Sequence, residues 1–280
     1  MVVGLETLLI LLVVSIFIGI IGSTLGIGGG IFLVPIMTLG LGIPIQVAAA
    51  TSLVTIIVTS STSASGYLKD GFVNVGLGMF LEMFTVSGAI IGAVLAFYLR
   101  PDVIEVIFGI VLVYAAFYMR FSKDVVCRQI AQGAATKRSR FTGRFFDKRC
   151  DQVLEYDVKS LPKGAGASFV AGNLSGLIGV GGGIVMVPAM NLWMGVPMKA
   201  ASATSTFILG VTAVASALVY LSNGLMAPVI TAAAAIGIFI GATLGTRAMP
   251  KITGGGLRAT FSVTIIVIAI LMFLRAGGLL

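Results

Sequence analysis

The sequence predicts an all-α polytopic membrane protein built from two inverted-topology repeats, each a Gly-broken helical hairpin plus three membrane-spanning helices. Three observations carry this reading. Hydrophobic residues fill 58% of the 280 positions and charged residues 10%, with a mean hydropathy of +1.12, which places the chain in a bilayer. A shift of 153 positions superposes residues 26–52 on 179–205 without a gap and with 15 identities in 27. Each copy opens on a glycine cluster, GIGGG at 26–30 and GVGGG at 179–183, set inside an apolar region.

Apolar runs fall near residues 5–21, 45–65, 72–99, 102–120, 202–221, 227–248 and 257–274. At roughly 1.5 Å per residue each is about long enough for a helix to cross a ~30 Å hydrocarbon layer. None shows the ten-residue alternation of a membrane β-barrel. The N-terminal run lacks a basic leader and carries Glu6, so it is expected to remain in the mature chain.

Between the copies lies a polar stretch holding 11 of the 18 Lys and Arg residues, from Arg120 to Lys163. The division expected is residues 1–120 as the N-terminal membrane repeat, 121–162 as a basic linker and 163–280 as the C-terminal membrane repeat. Positive charge flanking membrane spans sits in the cytoplasm, so the linker is placed there and the protein in the cell membrane. Asp147, Asp151, Glu155 and Asp157 dilute the basic run, which reads as a topology signal touching lipid headgroups rather than as a nucleic-acid site. Cys127 and Cys150 stand in a chain without histidine and make no zinc site; they are expected to be reduced, and no cofactor is expected.

The shared positions of the repeat include Pro35 and Pro188, Gly42 and Gly195, Pro44 and Pro197, and the Ala-Thr-Ser ends at 50–52 and 203–205. The same offset pairs Tyr67 with Tyr220 and Gly88 with Gly241. Charge decides the relative orientation. With the linker inside, a single crossing at 164–195 would leave Lys199, Arg247, Lys251 and Arg258 outside. A there-and-back pair brings these four inside and leaves Arg275 outside, and the repeats are then inverted.

Residues 31–41 and 184–194 would each extend only about 16 Å as a helix, half the hydrocarbon core. They read as half-helices that begin at a glycine break near mid-depth and end before Pro44 or Pro197, where proline suits the first position of the next helix. The first amides of a helix have no intrahelical partner and carry the positive end of its dipole. Glycine lets such amides converge closely on one oxyanion, so an anion is the natural guest of two opposed breaks. The same glycines have small-xxx-small spacing, and helix packing competes with ligand binding as an explanation, although packing alone does not require the repeated Pro and Ala-Thr-Ser. For Thr51, Ser52, Thr204 and Ser205, ligand contact and helix-to-helix hydrogen bonding both stand open. A dinucleotide fingerprint is a poor match, because its third glycine would fall on Ile31 or Ile184.

The duplicated GxGGGxxxxP, followed by G-x-P and A-x-A-T-S, resembles the TauE/SafE (TSUP) sulfite exporter family over nearly the whole chain. The resemblance implies transport of small sulfur-containing anions, such as sulfite, thiosulfate or organosulfonates, across the cell membrane. Carried over by motif, it implies a substrate site of Gly28, Gly29, Gly30, Thr51 and Ser52 with Gly181, Gly182, Gly183, Thr204 and Ser205. Gly40 against Trp193 and Gln46 against Lys199 mark where the copies differ.

Glu82 lies within the 72–99 run and pairs by the offset with Ala235. A carboxylate at depth is a candidate carrier of a coupling proton, or a hydrogen-bonding partner of a neighbouring helix. Arg247, near a helix end, reads as a topology anchor. Export of an anion from an inside-negative cell releases roughly 2.3 kcal/mol per 100 mV and needs no coupled ion, whereas import would require protons or sodium. Export is therefore the reading preferred; a passive anion channel and a proton-coupled importer are the alternatives. One Glu without His is too little for an enzyme site.

Overall fold

The computed structural model describes residues 4–25, 28–121, 141–147, 152–248, 266 and 268–275. In chain order the elements are α1 (Leu5–Leu25), α2 (Gly30–Gly40), α3 (Ile45–Lys69), α4 (Val75–Tyr98), α5 (Pro101–Phe121), β1 (Gly143–Asp147), β2 (Gln152–Tyr156), α6 (Leu161–Ile178), α7 (Gly183–Trp193), α8 (Met198–Ser222) and α9 (Pro228–Ala248), followed by helical residues 268–275. Gly26, Cys127, Cys150 and most of the basic linker lie outside the described residues.

Among the described residues six helices, α1, α3, α4, α5, α8 and α9, are long and apolar enough to cross a membrane, and α2 and α7 are short apolar helices. Large apolar side chains such as Ile10, Phe17, Ile91, Leu218 and Ile240 stand exposed on the outside of the bundle, where lipid covers them. This is a multi-pass membrane protein.

The bounds of α2 and α3, shifted by 153, fall on those of α7 and α8 residue for residue. Local chemistry repeats with them. Pro35 and Pro188 lack the N–H that would continue the helical ladder, and the turns that follow, Ile36–Gly40 and Ala189–Trp193, widen to π-helix. Gly42 (φ 63) and Gly195 (φ 70) then take the left-handed conformation that ends the helix, and Ile43 N–H bonds to the Met37 carbonyl at 3.0 Å as Val196 N–H does to Met190 at 2.9 Å. Pro44 and Pro197 sit at the cap with extended ψ of 138 and 144, one residue before the first helical position expected for them.

Pairs of helices meet through glycine. A Cβ at Gly172 or Gly176 of α6 would collide with the Thr85 or Ala89 carbonyl of α4, and one at Gly241 or Gly245 of α9 with the Ile16 or Ile20 carbonyl of α1. Close backbone approach of this kind is what membrane helices use in place of hydrophobic burial. Under the offset of 153, α6 and α4 correspond to α1 and α9, so the two helix pairs are equivalent. In each, residue numbers on both helices rise together, so α1 runs with α9 and α4 runs with α6. Hydrogen bonds Thr51–Thr231 and Thr246–Ser63 show that α3 also runs with α9; Thr212–Thr85 and Ser216–Ala89 show that α8 runs with α4. Tyr67 and Tyr220, both buried, donate to the Ser23 carbonyl at 2.7 Å and the Gly176 carbonyl at 3.1 Å, the same bond 153 residues apart.

Two elements depart from the hydropathy reading. Helix α6 was not among the apolar runs, because its 18 residues include Pro162, Lys163, Asn173 and four glycines that dilute hydropathy while serving close packing. The linker contributes an antiparallel hairpin, β1 with β2, which an all-α expectation lacks. Aromatic and β-branched residues suit strands, and Arg144 opposite Glu155 pairs unlike charges across it. Phe145, Leu154, Tyr156 and Val158 are buried against Phe72, Leu77, Met194 and Val196, so this part of the linker is docked on the helical bundle. Burial holds the Tyr156 phenol above the usual tyrosine range, and its hydrogen bond with Asn74 opposes that shift.

Candidate functional site

The first break follows α1. Gly28 (φ 84) and Gly29 (φ 77) adopt left-handed backbone that favours glycine, and α2 starts at Gly30 with no side-chain cap. The first bonded amides are Phe32 and Leu33, both on the Gly29 carbonyl at 3.1 and 3.3 Å. The amides of Gly30 and Ile31 therefore precede the helical ladder and present the positive end of the half-helix. At the second break Val185 and Met186 bond the Gly182 carbonyl at 3.1 and 2.9 Å, leaving Gly183 and Ile184 in the same position, again with no side-chain cap.

The first break lies level with the middles of three long helices. A Cβ at Gly29 would stand 3.6 Å from the Ile238 side chain, and Ile238 is the central residue of α9. One at Gly28 would meet Ile56 and Leu209, each next to the middle of its helix, α3 or α8. The breaks also meet each other: a Cβ at Gly30 would lie 2.6 Å from the Gly179 carbonyl oxygen and 2.9 Å from Val180 Cα.

The copies are not identical here. Gly181 (φ 79) matches Gly28, but Gly182 has φ −68 where Gly29 has φ 77. Residue 22 is glycine, and a Cβ on it would fall 2.6 Å from the Gly29 nitrogen. Its counterpart is Ser175, which has a Cβ, and the second break takes a different path past it. Gly182 is still held to glycine, by the Ala171 carbonyl 2.9 Å from where its Cβ would be.

All ten residues expected at the site are buried. The structure joins some of them and disperses others. Ser52 donates to the Gly179 carbonyl at 2.6 Å and so belongs to the junction of the breaks. Thr51 shares a 3.2 Å hydrogen bond with Thr231 of α9, and the Thr204 hydroxyl accepts the Asn74 amide at 3.0 Å beside the start of α4. For these two threonines the helix-bonding alternative describes their present contacts, and each is turned toward its own end of the bundle. Ser205 is buried at the position that matches Ser52. Glu82 on α4 has a buried Oε1 without a hydrogen-bond partner among the described residues.

Asn74 and Arg275 lie outside the repeated motif. Asn74 caps α4 through Leu77 N–H at 3.1 Å and holds the linker through the Phe141 carbonyl at 2.9 Å. Arg275 pairs with Glu105 at 3.4 Å and donates to the Thr38 carbonyl in the π-turn that ends α2. Opposite charges, Glu105 inside the 102–120 run and Arg275 just after the 257–274 run, are the hint the sequence offers.

The family model described as Sulfite exporter TauE/SafE matches residues 11–272. The chain is 30% identical to the probable membrane transporter protein YunE of Bacillus subtilis, over 84% of this chain and 86% of that protein. It is 27% identical to a probable membrane transporter protein of Methanocaldococcus jannaschii, over 95% of each. A Bacillus subtilis relative with the same description, YdhB, is 23% identical over 87% of this chain and 92% of its own length. No solved structure matches the chain.

Proposed function

The chain belongs to the TauE/SafE sulfite exporter family of membrane transporters, and from that premise we propose that it exports a small sulfur-containing anion held between two opposed half-helix starts. The family description names sulfite, and thiosulfate and organosulfonates are sulfur oxyanions of the same chemical class. The observation that carries the reading is the meeting of two uncapped half-helix starts level with the middles of the long helices, where the amides of Gly30, Ile31, Gly183 and Ile184, which have no bonded partner among the described residues, supply partial positive charge without a buried cation. Gly28, Gly29, Gly181 and Gly182 let the backbone approach the anion. Ser52 and Ser205 supply hydroxyls beside the breaks, and Thr51 and Thr204 line the approaches from the two ends.

An inverted arrangement of repeats 1–120 and 163–280 is part of the proposal. Its support is directional: α1 and α3 both run with α9, α6 and α8 both run with α4, and the turn at residues 70–74 separates α3 from α4. With linker 121–162 in the cytoplasm of the cell, Thr204 faces the cytoplasmic side and Thr51 the outer side. Outward movement of the anion is driven by the membrane potential. A second reading, proton-coupled import, is favoured by one observation, the unpartnered oxygen of Glu82.

The test is flux of a panel of sulfur oxyanions in proteoliposomes, with and without a proton gradient. Saturable flux of a member of the panel, independent of the gradient, is expected. A linear, unsaturable conductance would replace the carrier with a channel.

A further inference from the structure

We propose that Ser175 is a substrate ligand, a hydroxyl that donates to one oxygen of the transported oxyanion and makes the second half-site chemically different from the first. The inference rests on the transport reading above and adds to it a residue outside the repeated motif.

A buried serine in a helix ordinarily donates to a carbonyl three or four residues back. Ser168, on the same helix α6, does so to Gly164 at 2.7 Å, and Ser23 of α1 does so to Ile20 at 3.0 Å. Ser175 is 0% exposed and its Oγ has no hydrogen-bond partner among the described residues. Its surroundings are otherwise satisfied: the Ser175 carbonyl takes the Gly179 amide at 2.8 Å, and the Tyr220 hydroxyl reaches the Gly176 and Leu177 carbonyls at 3.1 and 3.2 Å.

Ser175 lies on the face of α6 that packs on the second break. Ala171 lies one turn before Ser175 on the same helix face, and its carbonyl packs on Gly182. In the other copy the equivalent position, Gly22, directs its missing Cβ at the Gly29 amide. In the proposal this hydroxyl serves the same anion as the amides of Gly183 and Ile184, where a donor without an acceptor is suited to an oxyanion. The first copy, with glycine at 22, has no such group.

The test uses the full-length protein in proteoliposomes, with sulfite and thiosulfate as probes, and compares Ser175→Ala, Ser175→Gly and Ser15→Ala. Ser15 is equally buried and unpartnered, but it packs against Gly237 of α9 and serves as the control. Loss of Ser175 should raise KM for the transported probe by about tenfold or more, the effect of one hydrogen bond to a charged group, in both variants. Melting temperature without anion should stay level or rise, since an unpartnered hydroxyl has been removed. Ser15→Ala should leave KM unchanged. Unchanged KM in both Ser175 variants, or a KM shift matched by Ser15→Ala, overturns the proposal. A Gly182→Leu arm separates the two readings: loss of flux there with normal KM in the Ser175 variants removes Ser175 and keeps the half-helix site. Failure of wild type to move either probe saturably overturns both.

Discussion

The Ser52 hydroxyl of α3 donates to the Gly179 carbonyl at 2.6 Å, so a helix of one repeat is bonded to the glycine break of the other. Buried inside the bundle, this bond has two effects. It satisfies a carbonyl that the left-handed turn at Gly179 (φ 73) frees from the helical ladder, and it fixes the distance between the two breaks.

Ser52→Ala should therefore leave a buried carbonyl without its donor and cost about 1–3 kcal/mol. Thermal unfolding of the purified protein reads this, with Ser65→Ala, an exposed hydroxyl bonded to Thr62 in its own helix, as the reference expected to stay near wild type. Equal melting temperatures in the two variants would detach the bond from stability.

Glycines at helix contacts should behave differently from glycines in open positions. Gly172→Ala places a methyl against the Thr85 carbonyl and should destabilise by roughly 1–3 kcal/mol. Gly166 lies on the same helix with nothing within 4 Å, and Gly166→Ala should stabilise by about 0.5–1 kcal/mol through helix propensity. Opposite signs for the two substitutions in one thermal series are the expected result.

Arg275 and Glu105 form an ion pair with side chains 28% and 8% exposed, and Arg275 also caps the π-turn at Thr38. Arg275→Ala strands the Glu105 carboxylate and should cost about 3–5 kcal/mol. Adding Glu105→Gln should recover part of that loss. A double-mutant cycle with purely additive effects would show that the pair is not coupled.

Asn74 ties three structures together: the first turn of α4, the Phe141 carbonyl and the Tyr156 hydroxyl. Asn74→Ala should cost about 1–2 kcal/mol from the lost cap, and limited proteolysis between residues 141 and 158 should accelerate as the hairpin loosens. Alkaline pH should act in the same direction. The docked state favours the neutral Tyr156 phenol, so its contribution is full below about pH 10 and is lost as pH rises through the raised folded value.

Glu82→Gln separates the two transport readings. Export driven by the membrane potential predicts unchanged flux, and proton-coupled import predicts loss of gradient-driven flux with passive exchange retained.

Much of the architecture was legible because it rests on covalent periodicity. The offset of 153 and the Pro and Gly positions predicted half-helices at 31–41 and 184–194, and helices stand at Gly30–Gly40 and Gly183–Trp193. Hydropathy alone could not find α6, since a helix that packs through Gly172 and Gly176 on a neighbouring backbone has little side chain to count. The hairpin at 143–156 was hidden for the opposite reason: five-residue strands in a charged linker carry a weak pattern until Phe145 and Tyr156 find their tertiary partners. At the site, glycine identity pointed to the breaks, but hydroxyl direction is a tertiary property. Nothing in Ala-Thr-Ser distinguishes Ser52, bonded to the opposite break, from Thr51, bonded to Thr231. Ser175 was invisible because the repeat draws attention to positions that agree, and it is a position where the copies differ.

The central claim is that the anion is held where the two glycine breaks meet. Its most direct test is saturable sulfite or thiosulfate flux in proteoliposomes carrying wild type, Gly29→Leu or Gly182→Leu, each checked for folded protein in the membrane by size exclusion and melting. The account predicts saturable flux in wild type and its loss in both variants, with folded protein recovered. Normal flux in both variants would contradict it.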